Sequence, residues 1–287
     1  MVEYIVGRNN LAVTIFVPYN CPNNCPFCTS KKDYENNKDF SMEEIIKSFR
    51  KVAYKPFVKD IVITGGEPFA DLKQLDYLLN EVSGAVLNYG KNLYINTTLP
   101  CTSDEQREEI LQFLYRHQKV ISGLNISRHM NFKTKYEDFK LLEDIYNTVK
   151  VKIRINSVLF GKVYPSKVKS FINEYVPVCD GISFRADYTK IKTQDDLRNI
   201  DKDEFVDILF NMEELYYLGS GGCMVCNNDD FIYKNKTISY HRGMENSLIT
   251  KGDYKIINDI VIKQNGKTVL DWKDEEVQFG SYLFSED

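Results

Sequence analysis

The chain has 287 residues and a formal net charge of −4, with 43% hydrophobic and 27% charged residues. This balance is typical of a soluble globular protein with one large domain, or one domain and an appendage. The negative charge argues against a general nucleic-acid surface. No apolar run approaches the ~20 residues that span a bilayer and the amino terminus has no targeting segment, so we expect a cytoplasmic protein without a membrane partner.

Apolar, β-branched runs alternate with amphipathic helical stretches over most of the chain. The predicted strands span 11–17, 60–64, 92–97, 122–127, 151–159 and 180–186. The predicted helices span 42–54, 71–83, 104–118, 135–148, 166–175 and 202–218. Six successive β–α units imply a parallel sheet with right-handed crossovers. Because six strands are too few for a closed eight-stranded barrel, we predict an α/β fold, an open partial (β/α)6 barrel.

A glycine-rich stretch over 219–222 marks a predicted domain boundary. Beyond it the pattern changes to short strands, predicted over 230–240, 244–250, 254–263 and 267–272. Asn265-Gly266 between the last two is typical of a hairpin turn. The sequence therefore predicts a barrel domain over 1–218 and a small, mainly β appendage over 219–287.

Three cysteines follow the first predicted strand within eight residues: Cys21, Cys25 and Cys28, spaced C-x3-C-x2-C. Iron–sulfur clusters are held by cysteine thiolates, and a [4Fe–4S] cube offers four iron corners, so three local cysteines leave one corner for a ligand. The odd total of seven cysteines argues against a disulfide framework. A zinc site would usually need four ligands. The spacing thus favours an iron–sulfur cluster.

The second predicted strand runs directly into Gly65-Gly66-Glu67-Pro68. A glycine pair lets the backbone approach a ligand closely, and the glutamate can accept a hydrogen bond from an ammonium group. Alone, this tetrapeptide is usually just a turn. One β–α unit after the cysteine triplet it is far more specific, because both elements then lie at the carboxyl ends of parallel strands, where ligands gather.

Together, Cys21–Cys28 and Gly65–Pro68 resemble the radical S-adenosylmethionine (SAM) superfamily. The resemblance implies a [4Fe–4S] cluster on Cys21, Cys25 and Cys28. It further implies that SAM chelates the fourth iron and that a flavodoxin- or ferredoxin-type protein donates the electron. In such enzymes the reduced cluster cleaves SAM to methionine and a 5′-deoxyadenosyl radical, which abstracts hydrogen from the substrate.

The same resemblance implies a set of cofactor contacts. Phe27 would lie against the adenine, Gly65–Pro68 would hold the methionine amino group, and Ser127 would reach the SAM carboxylate or ribose. Thr97 and Thr98 end the third predicted strand at the same rim. Structural interpretations stay open beside these: Phe27 as a packing residue near the cluster, and Ser127 as a strand-end hydroxyl facing solvent.

Four further residues are predicted to act on the substrate. Strand alternation places Arg154 and Asn156 on one face. A buried charge without a partner is costly, so we expect Arg154 to bind a SAM carboxylate, a substrate or a neighbouring glutamate. Arg128 and His129 follow the fourth predicted strand, where they would contact substrate, assist proton transfer or simply border solvent. Arg185 and Asp187, after the sixth strand, have the same alternatives.

Over roughly residues 10–190 the chain looks most like the group that contains the GTP 3′,8-cyclase of molybdenum-cofactor synthesis and SPASM/twitch-like proteins. The arginines that bind the cyclase's substrate are replaced at about Thr14 and Val62, so we expect a different substrate. Cys223 and Cys226 resemble the second cluster motif of that group. They would bind a second iron–sulfur cluster or zinc, or be a redox-inert remnant.

A further ligand for that second site would have to come from Cys101, Cys179 or His241. Three functions stay open at this point. The first is a radical SAM enzyme acting on a nucleotide, nucleoside or other small metabolite. The second is a radical SAM enzyme that modifies a ribosomally made peptide. The third is a non-enzymatic iron–sulfur scaffold or sensor, which the intact cysteine loop and GGEP element argue against.

Overall fold

The computed structural model describes residues 3–6, 11–18, 20–31, 39–187, 189, 204–221, 226–244, 248–251, 254–257 and 259–270. Its strands are β1 Glu3–Val6, β2 Leu11–Val17, β3 Val58–Gly65, β4 Asn92–Thr97, β5 Gly123–Ser127, β6 Lys152–Val158, β7 Gly181–Arg185, β8 Tyr216–Gly221, β9 Cys226–Tyr233, β10 Lys236–Met244, β11 Leu248–Lys251, β12 Tyr254–Ile257, β13 Asp259–Ile262 and β14 Thr268–Val269. Its helices are α1 Met42–Val52, α2 Leu72–Tyr89, α3 Asp104–His117, α4 Phe139–Thr148, α5 Pro165–Tyr175 and α6 Glu204–Phe210. None of these helices has the length and apolar character needed to cross a membrane.

Three stretches of the predicted secondary structure were wrong. The single strand predicted over 254–263 is two strands, β12, which pairs with β1, and β13, which pairs with β2. The helix predicted over 202–218 ends at Phe210, and Tyr216–Gly221 forms strand β8, which pairs with β9. The single strand predicted over 230–240 is the hairpin β9–β10, which turns at Lys234 and Asn235 with φ of 47° and 62°. The turn contains no glycine that would have predicted it from the sequence, although asparagine tolerates the left-handed conformation.

A mostly parallel sheet organises the chain, as predicted. The described strands form one sheet of 11 in the order β14-β13-β2-β3-β4-β5-β6-β7-β10-β9-β8, and β1, β12 and β11 form a small second sheet. β2 to β7 pair in parallel in chain order. Strand β13 joins β2 and β10 joins β7, also in parallel. The strands after residue 218 therefore extend both edges of the same sheet, and the division at 218 stays a prediction, as does the partial-barrel shape.

The two faces of the sheet differ sharply in polarity. On one face, Leu93, Ile95, Leu124, Ile126, Ile153 and Ile155 are buried in a core that includes the apolar sides of α1 to α5. Burial of each such side chain stabilises the fold by about 1.5–3 kcal/mol. The alternate residues form the opposite face, which we call the polar face: Tyr94, Asn96, Asn125, Ser127, Arg154, Asn156, Ser183, Arg185, Ser239 and His241.

The turn between β13 and β14 is fastened to helix α1. The Ser48 hydroxyl donates to the Gly266 carbonyl at 2.7 Å, and the Ser41 backbone N–H donates to the Gln264 carbonyl at 3.0 Å. Gly266 has a φ of +80°, and a Cβ at this position would lie 2.4 Å from the Glu44 Cβ. Only glycine therefore lets the turn approach the helix this closely.

Replacing Gly266 with alanine should lower the free energy of unfolding by about 2–5 kcal/mol, because left-handed strain and steric overlap add. Gly90→Ala is the matched control: Gly90 also has a positive φ of +63°, but nothing lies within 4 Å of its Cβ position. The control should lose only about 1–2 kcal/mol. Denaturant unfolding measures both variants, and equal losses would contradict the close approach of Gly266 to α1.

Candidate active site

A fully buried carboxylate joins the ends of β3 and β4. Gly65, with a φ of +130°, ends β3, and Glu67 follows two residues later, 2% exposed. Its Oε2 accepts from the Thr98 backbone N–H at 2.7 Å and the Thr98 hydroxyl at 2.6 Å. Its Oε1 accepts from the Thr97 hydroxyl and from the Phe69 N–H at 3.1 Å. Burial raises the pKa of Glu67, while these four hydrogen bonds act in the opposite direction.

The cysteine loop is tied to this carboxylate through Asn23, a residue that the sequence did not single out. The Asn23 amide donates to the Thr98 hydroxyl oxygen at 3.2 Å, and its carbonyl accepts from the Lys135 N–H at 2.6 Å. Asn23 is 7% exposed. The only signal in the sequence was its place inside C-x3-C. The network Glu67–Thr98–Asn23 thus fixes the cysteine loop against the end of β4.

Cys21, Cys25 and Cys28 are free thiols of intermediate exposure on the loop that follows β2. A tight turn brings the Cys28 N–H to the Cys25 carbonyl at 3.1 Å. Burial raises the pKa of Cys21, and burial together with the neighbouring Cys28 and Cys21 raises the pKa of Cys25 to about 12. Each thiol therefore lies within electrostatic range of the others. Within the described residues, no three Cys, His, Asp or Glu side chains are already arranged as a metal site.

Phe27 packs in a small aromatic cluster beside the loop. Its ring meets those of His129 at 4.6 Å and Phe132 at 5.5 Å, both edge-on. The His129 Nδ1 accepts from the Val158 N–H at 3.0 Å. Burial and the adjacent Arg128 guanidinium lower the pKa of His129 to about 4, so the imidazole is neutral at pH 7. His129 thereby connects the end of β6 to the side chain that precedes Cys28.

The guanidinium of Arg128 donates hydrogen bonds to backbone carbonyls. Arg128 is 2% exposed, and its Nη1 donates to the carbonyls of Thr98 at 2.7 Å and Ser127 at 2.8 Å. Its Nε lies 3.8 Å from the Glu137 carboxylate. Burial lowers the pKa of Arg128, with Glu137 the largest opposing influence. These contacts hold the loops after β4 and β5 together at one rim.

Arg154 and Asn156 share the polar face, as strand alternation predicted. Arg154 Nε donates to the side-chain oxygen Oδ1 of Asn125 at 2.9 Å, and the side-chain Nδ2 of Asn125 donates to Oδ1 of Asn96 at 2.8 Å. Part of the Arg154 side chain is exposed to solvent. The surrounding protein still desolvates the guanidinium, and this effect, together with the positive charge of Arg185, lowers the pKa of Arg154 to about 10. A cavity of about 250 Å³ opens beside Arg154 and Asn125.

The structure describes the remaining predicted residues to different extents. Ser127 is the last residue of β5 and pairs in register with Asn156, and Pro68 is buried at the start of a 3₁₀ turn. Cys223 lies outside the described residues, and of Cys226 the structure gives only its backbone, paired with Met244 at the end of β10. Cys179 precedes β7 at the opposite end of the sheet, about nine residues along the strands from Cys226 and thus roughly 30 Å away at about 3.3 Å per strand residue. It is therefore not positioned to complete a site with Cys226.

Residues 15–127 match the family model described as Radical SAM superfamily. No curated protein matches the chain. The match lies over β2 to β5, and thus includes the cysteine loop, Glu67, Thr97, Thr98 and Ser127. A radical SAM domain supports an enzyme and implies a [4Fe–4S] cluster and SAM as cofactors.

The chain is similar in structure to SuiB of Streptococcus suis. The structure of SuiB bound to the precursor peptide SuiA matches with a TM-score of 0.56 at 17% identity, over 91% of this chain and 59% of that chain. SuiB bound to S-adenosylmethionine matches with a TM-score of 0.53 at 18% identity, over 91% of this chain and 58% of that chain. At these identities the likeness shows the fold, and the chain spans about three fifths of SuiB.

Glu67→Gln should lower the free energy of unfolding by about 2–4 kcal/mol. The amide replaces an acceptor oxygen with a donor that faces other donors, and hydrogen bonds to a charged group contribute about 1.5–3 kcal/mol each. Glu81→Gln is the control, because its carboxylate makes an exposed ion pair with Arg50 and should lose at most about 1 kcal/mol. Urea unfolding at pH 7 measures both, and equal losses would show that the Glu67 bonds do not stabilise the rim.

His129 should make the protein sensitive to mild acid. Its pKa is lowered in the folded state, so the unfolded chain binds the proton first, and stability is lost as pH falls from about 6.5 towards 4. We expect about 1–2 kcal/mol of loss at pH 5 from this residue.

In His129→Asn the amide carbonyl can still accept from Val158 but does not titrate. The difference in unfolding free energy between pH 7 and pH 5 should therefore shrink in this variant. An unchanged difference would show that His129 protonates equally in both states.

Proposed function

Since residues 15–127 carry a radical SAM domain, we propose that the chain reductively cleaves SAM at a [4Fe–4S] cluster held by Cys21, Cys25 and Cys28. The cluster and SAM, when bound, supply a 5′-deoxyadenosyl radical that abstracts hydrogen from a substrate. The observation that carries the proposal is the network Glu67–Thr98–Asn23, which fixes a loop of three free thiols to the rim where β3 and β4 end.

The thiol loop fits a cluster on chemical grounds. The pKa of the Cys25 thiol is raised by burial and by its two cysteine neighbours, so three thiolates would repel one another without a cation between them. Iron supplies that charge, and a coordinating thiol is deprotonated by the metal. Rotation of the three side chains would then bring the sulfurs together, and an external flavodoxin- or ferredoxin-type protein would supply the electron.

Around the cofactor, this chain's residues hold geometry. The Glu67 carboxylate is fully used by Thr97, Thr98 and Phe69, so we propose that it shapes the GGEP loop while the backbone of Gly65 and Gly66 meets the SAM amino group. Ser127 and Phe27 flank the same rim and would contact SAM. The buried aromatic cluster of Phe27 and His129 would exclude water from the reacting atoms.

Arg128 and His129 act as positioning residues in this proposal. The guanidinium of Arg128 holds two backbone carbonyls, and the His129 Nδ1 is engaged by the Val158 N–H. Neither group is free to take part in proton transfer through those atoms. Arg154 and Asn156, whose side chains lie on the polar face, are the stronger candidates for contact with substrate or cofactor.

A small-molecule substrate is our first candidate. The supporting observation is the group of polar residues Asn156, Ser183 and Arg185 near the carboxyl ends of β6 and β7, at the same end of the parallel sheet as the cysteine loop. Thr14 and Val62, which stand where the cyclase resemblance would require arginines, are register partners on β2 and β3. Positive charge lies instead on β6 and β7, so a substrate other than that of the cyclase is favoured.

A peptide substrate is the second candidate. It is favoured by the structural likeness to SuiB in its complex with the precursor peptide SuiA. The likeness reaches over 91% of this chain, and β10, β9 and β8 widen the sheet at one edge. A peptide would then have an extended polar sheet surface to bind. Cys223 and Cys226 as ligands of a second cluster or zinc belong to the same proposal.

Cys28→Ala should abolish SAM cleavage by the anaerobically reconstituted protein, because two thiolates do not hold a cluster with one open corner. The measurement is 5′-deoxyadenosine released on reduction with dithionite. Cys101→Ser is the control, since the Cys101 thiol contacts the Ser103 carbonyl and the Asp138 carboxylate, away from the cysteine loop, and serine keeps the donor. Release of 5′-deoxyadenosine by Cys28→Ala at the wild-type rate would contradict the assignment of Cys28 as a cluster ligand. No release by the wild type would contradict the proposed enzyme activity. Iron and sulfide analysis separates one cluster from two.

A further inference from the structure

Two arginines and a histidine converge where β6, β7 and β10 lie side by side. On the polar face, Arg185 of β7 pairs in register with His241 of β10. Arg154 of β6 pairs with Gly181, four residues before Arg185 on the same strand. Register partners such as Arg185 and His241 lie about 5 Å apart, whereas Arg154 lies roughly 13 Å further along the sheet and reaches a shared ligand only through the length of the two arginine side chains.

The positive charge at this place is not neutralised by a nearby carboxylate. Within the described residues, neither Arg154 nor Arg185 has a carboxylate oxygen within 4.0 Å. Asp230 is an acidic residue of the same face, and its Oδ1 accepts from the Ser239 hydroxyl at 2.6 Å. Asp187, two residues after Arg185, is also buried, and its Oδ1 accepts from the Thr189 hydroxyl at 2.6 Å. Burial, then Arg185 and Arg154, lower the pKa of His241 to about 3. The imidazole is therefore neutral and able to donate or accept beside the two cations.

Unpartnered polar atoms gather at the same place. Four buried side-chain atoms there have no hydrogen-bond partner among the described residues: Asn156 Oδ1, Ser183 Oγ, Arg185 Nε and Asn228 Oδ1. They lie on two adjacent rungs, since Asn156 pairs with Ser183, and His241 pairs with both Arg185 and Asn228. Buried polar groups in folded proteins are normally satisfied, so such a cluster indicates a missing ligand.

Gly181 lets β10 approach β7 closely beside Arg154. It occupies the register position between Arg154 and Thr237, and a Cβ there would lie 2.8 Å from the Thr237 carbonyl oxygen. A cavity of about 250 Å³ at the amino ends of these strands is lined by Gly181, Asp180, Ser239 and Arg154. Solvent, and hence a small ligand, reaches this guanidinium.

We propose that this patch, formed by Arg154, Asn156, Ser183, Arg185, His241 and Asn228, binds a carboxylate or phosphate group of the substrate. Guanidinium groups bind such oxyanions bidentately, and the serine hydroxyl and the neutral imidazole add donors. The inference rests on the proposed radical SAM function and deepens it, because it assigns the substrate an anionic group held on the polar face near the carboxyl ends of β6 and β7.

The test is isothermal titration calorimetry at low ionic strength on the full chain, with and without reconstituted cluster and SAM. The probes are inorganic pyrophosphate and glutarate, with glutaramide as the neutral counterpart of glutarate. The variants are Arg185→Gln, Arg185→Lys and, as control, Arg116→Gln, whose guanidinium is on the surface with a side chain 64% exposed. The melting temperature of each variant confirms its folding.

We expect one anionic probe to bind the wild type and glutaramide not to bind. Arg185→Gln should weaken binding tenfold or more, Arg185→Lys by less, and Arg116→Gln by less than twofold. Preference for pyrophosphate or glutarate then identifies a phosphate or a carboxylate. Equal binding by wild type and Arg185→Gln, binding of glutaramide, or loss of probe binding when SAM is present would each overturn the proposal, the last because the patch would then serve the SAM carboxylate.

The two proposals fail in different ways. Release of 5′-deoxyadenosine by the wild type tests the radical SAM chemistry without any probe. Release without anion binding would overturn the anion site alone. Anion binding that depends on Arg185, without any release, would overturn the chemistry and leave the patch as a binding site.

Discussion

The Glu67 carboxylate is the interaction on which the rim of this sheet depends. A buried carboxylate is expensive to desolvate, and it is tolerated here because four donors converge on its two oxygens. Two of those donors belong to Thr98, whose hydroxyl also accepts from Asn23. The cost of burying one charge therefore fixes three chain segments at once: the GGEP loop, the end of β4 and the cysteine loop.

The strict alternation of strand residues assigns the two halves of each strand to separate tasks. Leucines and isoleucines on one face pack on helices, and this packing sets the register of β4, β5 and β6. Register in turn decides which polar residues become neighbours on the other face. The hydrogen-bonded series from Asn96 through Asn125 to Arg154 exists because each of the three occupies a matching position on successive strands. Stability and ligand binding are thus carried by opposite faces of the same strands.

Local signals predicted the centre of the fold well. The strands β2 and β4 begin and end where the apolar, β-branched runs indicated, and Ser41 and Ser103 accept from the backbone at the starts of α1 and α3. The prediction failed after residue 210, where Tyr216–Gly221 has neither a strong helical nor a strong strand pattern and acquires its conformation from pairing with β9. Parallel pairing of β10 with β7 and of β13 with β2 joins residues far apart in sequence, which no local pattern encodes.

The candidate site shows the same limit at the level of single residues. The spacing of Cys21, Cys25 and Cys28, with Gly65–Pro68, was sufficient to indicate the superfamily whose model matches residues 15–127. The roles of Arg128 and His129 were not, because whether an arginine faces a ligand or a backbone carbonyl depends on loops that pack from 30 residues away in the chain. Asn23 was invisible for the same reason.

Only the neighbours of Arg185 on the adjacent strands identify it as a candidate binding residue. The sequence placed it after a strand, whereas the register with His241 and Val158 places it among buried polar atoms that have no partner within the described residues. Each such atom costs about 1–3 kcal/mol in the absence of a ligand. A sheet that places an apolar core on one face and unsatisfied donors and acceptors on the other gives up stability at the place where it binds. Such a loss of stability is expected where a ligand will satisfy the polar atoms, and it is the physical reason to look for the substrate on β6, β7 and β10.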